Sequence, residues 1–179
     1  MLLLYRAPLI PDLEHVIEGW RRLCRQEGIG EICLASVETF DLALADHDRR
    51  SLGFDPAVEF PPHNMPAPTR PPDMVDPDLS GDLHDYRMMM ANAVSRSLPG
   101  YTRFRTAFPR WDNTAKRQKQ AAIFLNSSPA AYRAWLESTI DDTRMQNFRD
   151  ERFVFINAWG EWAEGAFLEP DRIFMHDYL

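Results

Sequence analysis

The sequence has no excess of positive charge, few cysteines and no long apolar run. Its net charge is −7 over 179 residues, which argues against a sequence-independent nucleic-acid surface, because such a surface requires a basic stripe. Cys24 and Cys33 are its two cysteines. Their spacing matches no common zinc pattern, and two thiols do not make a disulfide framework. No apolar run approaches the roughly 20 residues that cross a bilayer, so no membrane span is expected.

The N-terminus also lacks the features of a secretory signal. Residues 1–6, MLLLYR, are too short an apolar segment and have no basic start, so the cytoplasm is the expected location. No metal or other cofactor is expected, because the histidines lack tight pairing and the carboxylates are better used as acids and bases. These histidines are His15, His47, His63, His84 and His176.

The composition that is present is typical of a soluble globular protein. Apolar residues make up 45% and charged residues 26% of the chain, which are ordinary values for that class. A chain of this length can bury one substantial core, so residues 1–179 are expected to form a single domain.

The segment 153–171, FVFINAWGEWAEGAFLEPD, is the most informative stretch. It opens with an unbroken apolar run from Phe153 to Ile156, which is typical of a parallel strand buried on both faces. Polar and aromatic residues follow at once. The C-terminal ends of parallel strands are where α/β proteins place their sites, so this segment is expected to carry the functional residues.

The spacing of Glu161 and Glu164 constrains the geometry of that site. On a regular strand, side chains three residues apart point to opposite faces. To serve one pocket, the chain must therefore leave the strand near Gly160 and turn, and Gly165 permits a second bend. One such turn brings the two Cβ atoms to about 5–6 Å. Two carboxylates beside two indoles suit sugar chemistry, which needs an acid, a base or nucleophile, and flat apolar faces.

The rest of the chain alternates predicted strands and helices. Strands are predicted at residues 2–5, 31–36, 103–108 and 153–156, and helices from Pro11 to Gly28, after a cap at Asp82, from Ser128-Pro129, and briefly after Pro170. Residues 41–80 hold too many prolines for a helix and are expected to form a long Pro-rich loop insertion. Within it, 53–63 is predicted to be an ordered substrate loop and 64–80 a mobile excursion.

About four parallel strands with intervening helices predict an α/β fold, the C-terminal half of a (β/α)8 TIM-type barrel. Polar clusters follow the second, third and fourth strands: Glu38 with the His63 loop, 111–114, and 157–164. A full barrel takes eight strands and about 250 residues. The domain is therefore expected to be incomplete at its N-terminus, with the other half missing or supplied by a second chain.

The order of the motifs resembles that of the WbsX-type proteins, whose domain is similar to glycoside hydrolase family 99. The resemblance is carried first by residues 157–171. It is supported by Gly53-Phe-Asp with Glu59-Phe-Pro-Pro-His63, by Trp111-Asp-Asn-Thr114 followed by Arg117, and by Ser128-Pro129 leading to Trp135-Leu136. It covers nearly the whole chain and corresponds to the C-terminal half of the family's barrel.

The resemblance implies a retaining, endo-acting glycosidase site related to endo-α-mannosidases and endo-α-mannanases. The family's roles would make Glu161 the base acting on the 2-hydroxyl of the sugar and Glu164 the acid that protonates the leaving oxygen. WbsX-type proteins are associated with lipopolysaccharide or O-antigen gene clusters and have been called glycosyltransferases, so hydrolysis and transfer both stay open. The family usually has Asn where this chain has Gly160.

An oligosaccharide or polysaccharide is the expected partner. Most of the candidate residues also have a structural alternative. The two glutamates could belong to a solvated acidic turn, and the tryptophans could pack in the core. Asp112 and Asn113 could cap a simple turn, and His63 could be a loop histidine without a functional partner. A catalytically inactive barrel fragment or a glycan-binding remnant is the alternative function. The substrate-binding candidates are Asn157, Trp159, Trp162, Trp111, Asp112, Asn113, His63, Tyr5 and Arg6.

Overall fold

The computed structural model describes residues 1–39, 49–63, 76–97, 99–146 and 151–179. Much of the predicted Pro-rich loop lies outside these ranges, including residues 64–75 of the part at 64–80 that was expected to be mobile. Across the described ranges, no helix is both long enough and apolar enough to cross a membrane. The elements are β1 (Leu2–Leu4), α1 (Leu13–Gln26), β2 (Leu34–Glu38), β3 (Ala57–Glu59), β4 (Asp82–Asp85), α2 (Tyr86–Ser95), β5 (Arg103–Ala107), α3 (Thr114–Arg117), β6 (Ala122–Leu125), α4 (Pro129–Gln146), β7 (Val154–Ile156), β8 (Gly160–Glu161) and β9 (Ala166–Phe167).

Five of these strands form one sheet in the order β1-β2-β3-β5-β7. The pairs β1–β2, β2–β3 and β3–β5 are parallel. Helix α1 connects β1 to β2, α2 precedes β5, and α4 connects β5 to β7. Parallel strands with intervening helices are the content of part of a TIM-type barrel, so the predicted fold class is confirmed.

The chain divides into two compact units, and the division falls within β5. The first unit comprises residues 1–64 and 98–105. It holds β1, β2, β3 and the first part of β5, with Glu38 level with Glu59 in the register of β2 and β3. Helix α1 packs Ile17 into a small core with Leu4, Ala7, Leu34 and Phe54. Its apolar spacing and its end before Gly28 agree with the prediction.

The Gly53-Phe-Asp motif has structural contacts within this first unit. Gly53 has a φ of 85°, and a Cβ atom there would lie 2.8 Å from Cγ2 of Ile17. Phe54 is in the core. Asp55 accepts hydrogen bonds from the Leu34 N–H at 2.9 Å and from Arg21 at 2.8 Å. The motif therefore fixes the chain as it enters β3, a strand that the sequence analysis missed inside the Pro-rich segment.

The second unit comprises residues 65–97 and 106–179. Strands β4 and β6 pair as a separate parallel ladder, and α2 packs against α4. Helix α4 begins as predicted, with the Ala131 N–H donating to Ser128 Oγ at 3.2 Å. The hydroxyl of Tyr86 donates to the Phe108 carbonyl in the core. That core comprises Tyr86, Met89, Ala93, Ala107, Phe108, Phe124, Tyr132, Trp135, Leu168 and Tyr178.

Two local predictions in the second unit are wrong. Asp82 does not cap a helix but begins β4, and Asp85 caps α2 instead, accepting from the Arg87 and Met88 N–H groups. Pairing with β6 extends the chain through Asp82, which local sequence does not reveal. The segment after Pro170 forms turns rather than a helix. The Asp171 side chain accepts from the Ile173 and Phe174 N–H groups as a helix cap would, but Met175 adopts a left-handed conformation with a φ of 51° and ends the turn.

The expectation that the strand at 153–156 is buried on both faces is also wrong, and β1, predicted at 2–5, is exposed as well. Leu2 and Leu3 of β1 are 45% and 41% exposed, and Phe153 and Ile156 at β7 are 43% and 39% exposed. Both strands stand at an end of the sheet order. An end strand has a neighbour on one side only, so an unbroken apolar run there does not imply burial.

We predict that Gly53→Ala destabilises the protein by about 2–5 kcal/mol in urea unfolding. A left-handed Cβ costs about 1–2 kcal/mol, and overlap with Ile17 adds about 1–3 kcal/mol of overpacking. Gly28→Ala is the matched control, since Gly28 has a φ of 73° and open space around its Cβ position. It should cost only the conformational part, so equal losses for the two variants would contradict the packing explanation.

Candidate functional site

The two predicted catalytic carboxylates lie on a hairpin that follows β7. Strands β8 and β9 pair antiparallel, with Gly160 opposite Phe167 and Glu161 opposite Ala166. A 3-10 turn over Trp162–Glu164 joins them, and Gly165 ends it with a φ of 62°. Residues three apart eclipse on a 3-10 turn. The chain therefore bends as the spacing of the two glutamates requires, although the turn starts at Trp162 rather than at Gly160.

This β8–β9 hairpin is fastened to the segment between β5 and α4 (residues 108–128, the β5–α4 segment). The Asp112 N–H donates to the Glu164 carbonyl at 3.0 Å. A Cβ atom on Gly165 would lie 2.7 Å from the carbonyl oxygen and 2.9 Å from the nitrogen of Asp112. Only glycine permits that approach. The polar clusters predicted after two different strands, 111–114 and 157–164, are therefore neighbours in the second unit.

Lys116 joins the two clusters through charge. Its Nζ donates to Oε1 of Glu164 at 2.6 Å. This hydrogen bond and the charge of Glu164 raise the pKa of Lys116, and the charge of Glu161 raises it further. One ammonium group thus senses both carboxylates. The sequence analysis missed Lys116, because its partner is 48 residues away and no local pattern links the two.

Trp162 belongs to a stack of groups that holds the hairpin. Its ring lies parallel to Phe167 at 3.7 Å between centroids, while the Arg110 guanidinium lies 3.9 Å from the same Phe167 centroid. Both approaches are so short that they must use opposite faces of Phe167. Arg110 also pairs with Asp171 at 2.6 Å. The pKa of Asp171 is lowered, first by the hydrogen bond from the Phe174 N–H.

Glu169 fills the space beside Gly160. A Cβ atom on Gly160 would lie 3.1 Å from Oε2 of Glu169, and the same carboxylate accepts from the Trp162 indole N–H. The Glu169 carboxylate, which lies beside Gly160, therefore orients Trp162. A side chain at 160 would have to share that space.

The predicted tryptophans differ in exposure. Trp159 and Trp162 are 61% and 50% exposed, so core packing does not account for either. Trp111 is half-buried and packs against the core, with an edge contact to Phe108 at 6.2 Å. All three nevertheless lie in the second unit with the glutamates, where the tryptophan that is fully buried in the core is Trp135 of α4.

The polar candidates of the second unit make contacts within the chain. Asp112 Oδ1 accepts from both the N–H and the hydroxyl of Thr114, and Asn113 Oδ1 accepts from the Ala122 N–H at 2.8 Å. These are the turn-capping bonds of the structural alternative. Asn157 donates its N–H to the Ala107 carbonyl at 2.9 Å, and its peptide bond to Ala158 is cis. Substrate binding by these three residues stays a prediction.

The remaining candidates lie in the first unit. Tyr5 contacts Phe60 edge-on at 5.3 Å between ring centroids, and Phe60 contacts His63 at 5.1 Å. Arg6 follows in a left-handed conformation, with a φ of 53°. The structure thus groups Tyr5 with His63 through one aromatic ring, at the C-terminal ends of β1 and β3. Whether they bind substrate stays a prediction.

A buried charge cluster in the first unit was not foreseen. Glu59 is 1% exposed. Its Oε1 forms ion pairs with Nε of Arg103 at 3.2 Å and with Nη1 of Arg105 at 3.0 Å. Nearby, Glu38 accepts from the Tyr101 hydroxyl at 2.8 Å and faces Arg49 at 3.5 Å. The alternating arginines of β5 were the available signal, since residues two apart share a face of a strand.

Known proteins identify the family. The sequence profile of a family described as Glycosyltransferase WbsX matches residues 1–179. The chain belongs to this family. Among curated relatives, "Uncharacterized protein WxcX" from each of two strains of Xanthomonas campestris pv. campestris is 43% identical over 173 residues. That match takes in 96% of this chain and 24% of each relative, so the chain spans about a quarter of their length. No solved structure matches.

We predict that Glu164→Gln lowers the pKa of Lys116 in this WbsX-family protein and that Glu161→Gln lowers it less. The hydrogen bond and nearer charge are lost in the first variant, and only a smaller charge effect is lost in the second. Since the pKa of Lys116 is raised in the folded state, the ion pair stabilises the fold fully below the ordinary lysine pKa. That contribution is lost as pH rises through the raised value.

The measurement is a pH titration of the lysine side-chain NMR signals, which is simple because the sequence has two lysines, Lys116 and Lys119. Glu137→Gln is the control, as Glu137 pairs with Arg133 on α4. A Lys116 titration that is the same in all variants would show that the ion pair does not form in solution.

Proposed function

We propose that this WbsX-family chain carries the acid and base residues of a carbohydrate-active enzyme that cleaves or transfers at a glycosidic bond. The substrate is an oligosaccharide or polysaccharide of the α-mannoside type. The observation that carries the proposal is the β8–β9 hairpin, which presents Glu161 at the end of β8 and Glu164 at the end of the 3-10 turn that follows, with Lys116 beside them. Family membership supports the carbohydrate class.

Glu161 has the environment that a base requires. It is exposed, and within the described ranges its side chain accepts no hydrogen bond. It takes the proton from the 2-hydroxyl of the sugar, O2 forms a bond to C1, and the bond from C1 to the leaving oxygen breaks. Water or a sugar hydroxyl then opens this three-membered ring at C1, the C1–O2 bond breaks, and Glu161 returns the proton to O2. Two inversions at C1 retain its configuration.

Glu164 is the acid in this scheme. Lys116 donates to Oε1 and favours the ionised carboxylate, so the acid step requires a proton to be taken up on Oε2, from which it passes to the leaving oxygen. In the second step Glu164 takes a proton from the attacking water or acceptor hydroxyl, which restores its starting form. A fixed ammonium beside one oxygen thereby determines which oxygen of the carboxyl group carries the exchangeable proton.

The exposed tryptophans supply flat apolar surface for the sugar. Indole faces are suited to this because they bury large area while leaving polar edges free. Trp162 has one face covered by Phe167, so a sugar ring stacks on its other face. Trp159, at 61% exposure, is the second platform.

We predict that Glu164→Gln lowers turnover of a natural-type α-mannoside by about 100- to 10,000-fold, the usual range for losing a general acid. The loss should be much smaller with an aryl α-mannoside that carries a dinitrophenol leaving group, because such a group departs without protonation. Glu161→Gln should impair both substrates alike. The measurements are initial rates for the two substrates with each variant.

Equal turnover of the natural-type substrate by Glu164→Gln and the unmodified protein would refute the acid assignment. Binding of the substrate without turnover by the unmodified protein would instead favour the glycan-binding alternative. Products formed with and without an added sugar acceptor distinguish transfer from hydrolysis.

A second chain that covers the ends of the sheet is a further part of the proposal. The apolar side chains at β1 and β7 that are about two-fifths exposed support it, since an uncovered parallel edge favours association. We predict that Ile156→Lys shifts sedimentation toward a smaller species. Met145→Lys is the control, because it makes a similar apolar-to-charged change at a residue of α4 that is 77% exposed and is not part of a sheet strand. A monomeric unmodified protein would exclude a second copy as the cover.

A further inference from the structure

A cleft in the second unit is not accounted for by the two glutamates. It has a volume of about 500 Å³ and lies between the β5–α4 segment, which includes β6, and the β8–β9 hairpin. Small-molecule sites occupy about 300–1,000 Å³. Among the described residues, neither Glu161 nor Glu164 lines it. Its lining includes the aromatic residues Trp111, Phe124 and Phe167 and the polar residues Asp112, Thr114 and Asn126.

The polar residues of the cleft retain hydrogen-bonding capacity. Asp112 uses Oδ1 to accept from Thr114, and its Oδ2 has no partner within the described ranges. Asn126 donates from Nδ2 to Asp85 at 2.6 Å, and its Oδ1 has no donor among those residues. The indole N–H of Trp111 likewise has no acceptor in the part of the chain that the structure describes. One donor and two acceptors are therefore available from residues around an aromatic surface.

The charges of the cleft argue for a neutral ligand. Arg110 lines it, but its guanidinium is paired with Asp171 and lies against Phe167. Asp112 is the acidic residue among those lining the described part of the cleft, and it repels phosphate or carboxylate groups. A ligand with hydroxyl donors for the carboxylate and a flat apolar face for the aromatic rings fits this surface. Saccharides combine these properties.

We propose that this cleft binds a neutral saccharide unit, separately from the acid–base pair. It adjoins the pair through the Asp112 N–H, which donates to the Glu164 carbonyl, so one glycan could reach both. This inference rests on the proposed function only in its choice of a saccharide as the ligand. Binding in the cleft and chemistry at the glutamates can therefore succeed or fail independently.

The test follows the indole N–H signals in two-dimensional NMR. The sequence has five tryptophans, and loss of one signal in Trp111→Phe assigns that residue. The probes are α-mannobiose, maltose and cellobiose, each titrated to tens of millimolar into the Glu164→Gln variant so that no turnover intervenes. We expect a saturable shift of the Trp111 signal. Asp112→Asn should weaken the affinity about tenfold, because a hydrogen bond to a charged group is lost.

Asp141→Asn is the matched control, as it makes the same chemical change at an exposed position of α4 and should leave the affinity unchanged. Asp112→Asn preserves an acceptor for Thr114, and its circular dichroism spectrum verifies the fold. A shift of Trp159 or Trp162 with Trp111 unmoved would overturn the cleft assignment, as would no indole shift with any probe. Turnover by the unmodified protein is measured separately. Turnover without a Trp111 shift would refute only the proposed saccharide binding in the cleft. A Trp111 shift without turnover would refute only the proposed catalytic function.

Discussion

The candidate site depends on one close backbone contact, between Gly165 and Asp112. The missing Cβ of Gly165 lets the turn approach the Asp112 peptide, and the Asp112 N–H then bonds to the Glu164 carbonyl. With the turn fixed in this position, Lys116 contacts Glu164. Phe167 packs between Trp162 and Arg110. The positions of these charged and aromatic groups thus depend on a contact between the backbones of Gly165 and Asp112, which involves no side chain.

Much of the fold could be predicted because its signals are local. Helix α1 follows from apolar spacing and a terminal glycine, and α4 from the serine cap before Pro129. The bend between Glu161 and Glu164 follows from their odd spacing and from Gly165. Strand β2 was predicted a few residues early, at 31–36 rather than at Leu34–Glu38, because sequence periodicity gives the type of an element more reliably than its ends.

The unpredicted features arise from distant partners. Strand β3 is three residues long, too short for a periodic signal, and it forms because β2 and β5 flank it. The ladder of β4 with β6 converts a predicted cap at Asp82 into a strand. The ion pairs of Lys116 with Glu164 and of Arg105 with Glu59 join residues 48 and 46 positions apart. Propensity and pattern contain no information on such pairings until the chain is folded.

Glu169 gives position 160 a consequence that reaches beyond the hairpin. Its carboxylate lies where a side chain at 160 would begin and also holds the indole of Trp162. A Cβ atom at 160 would lie 3.1 Å from Oε2 of Glu169, so the carboxylate would have to shift by a few tenths of an ångström. The absence of a side chain at Gly160 thus acts as a spacer that leaves the Glu169 anchor, and with it the Trp162 ring, undisturbed.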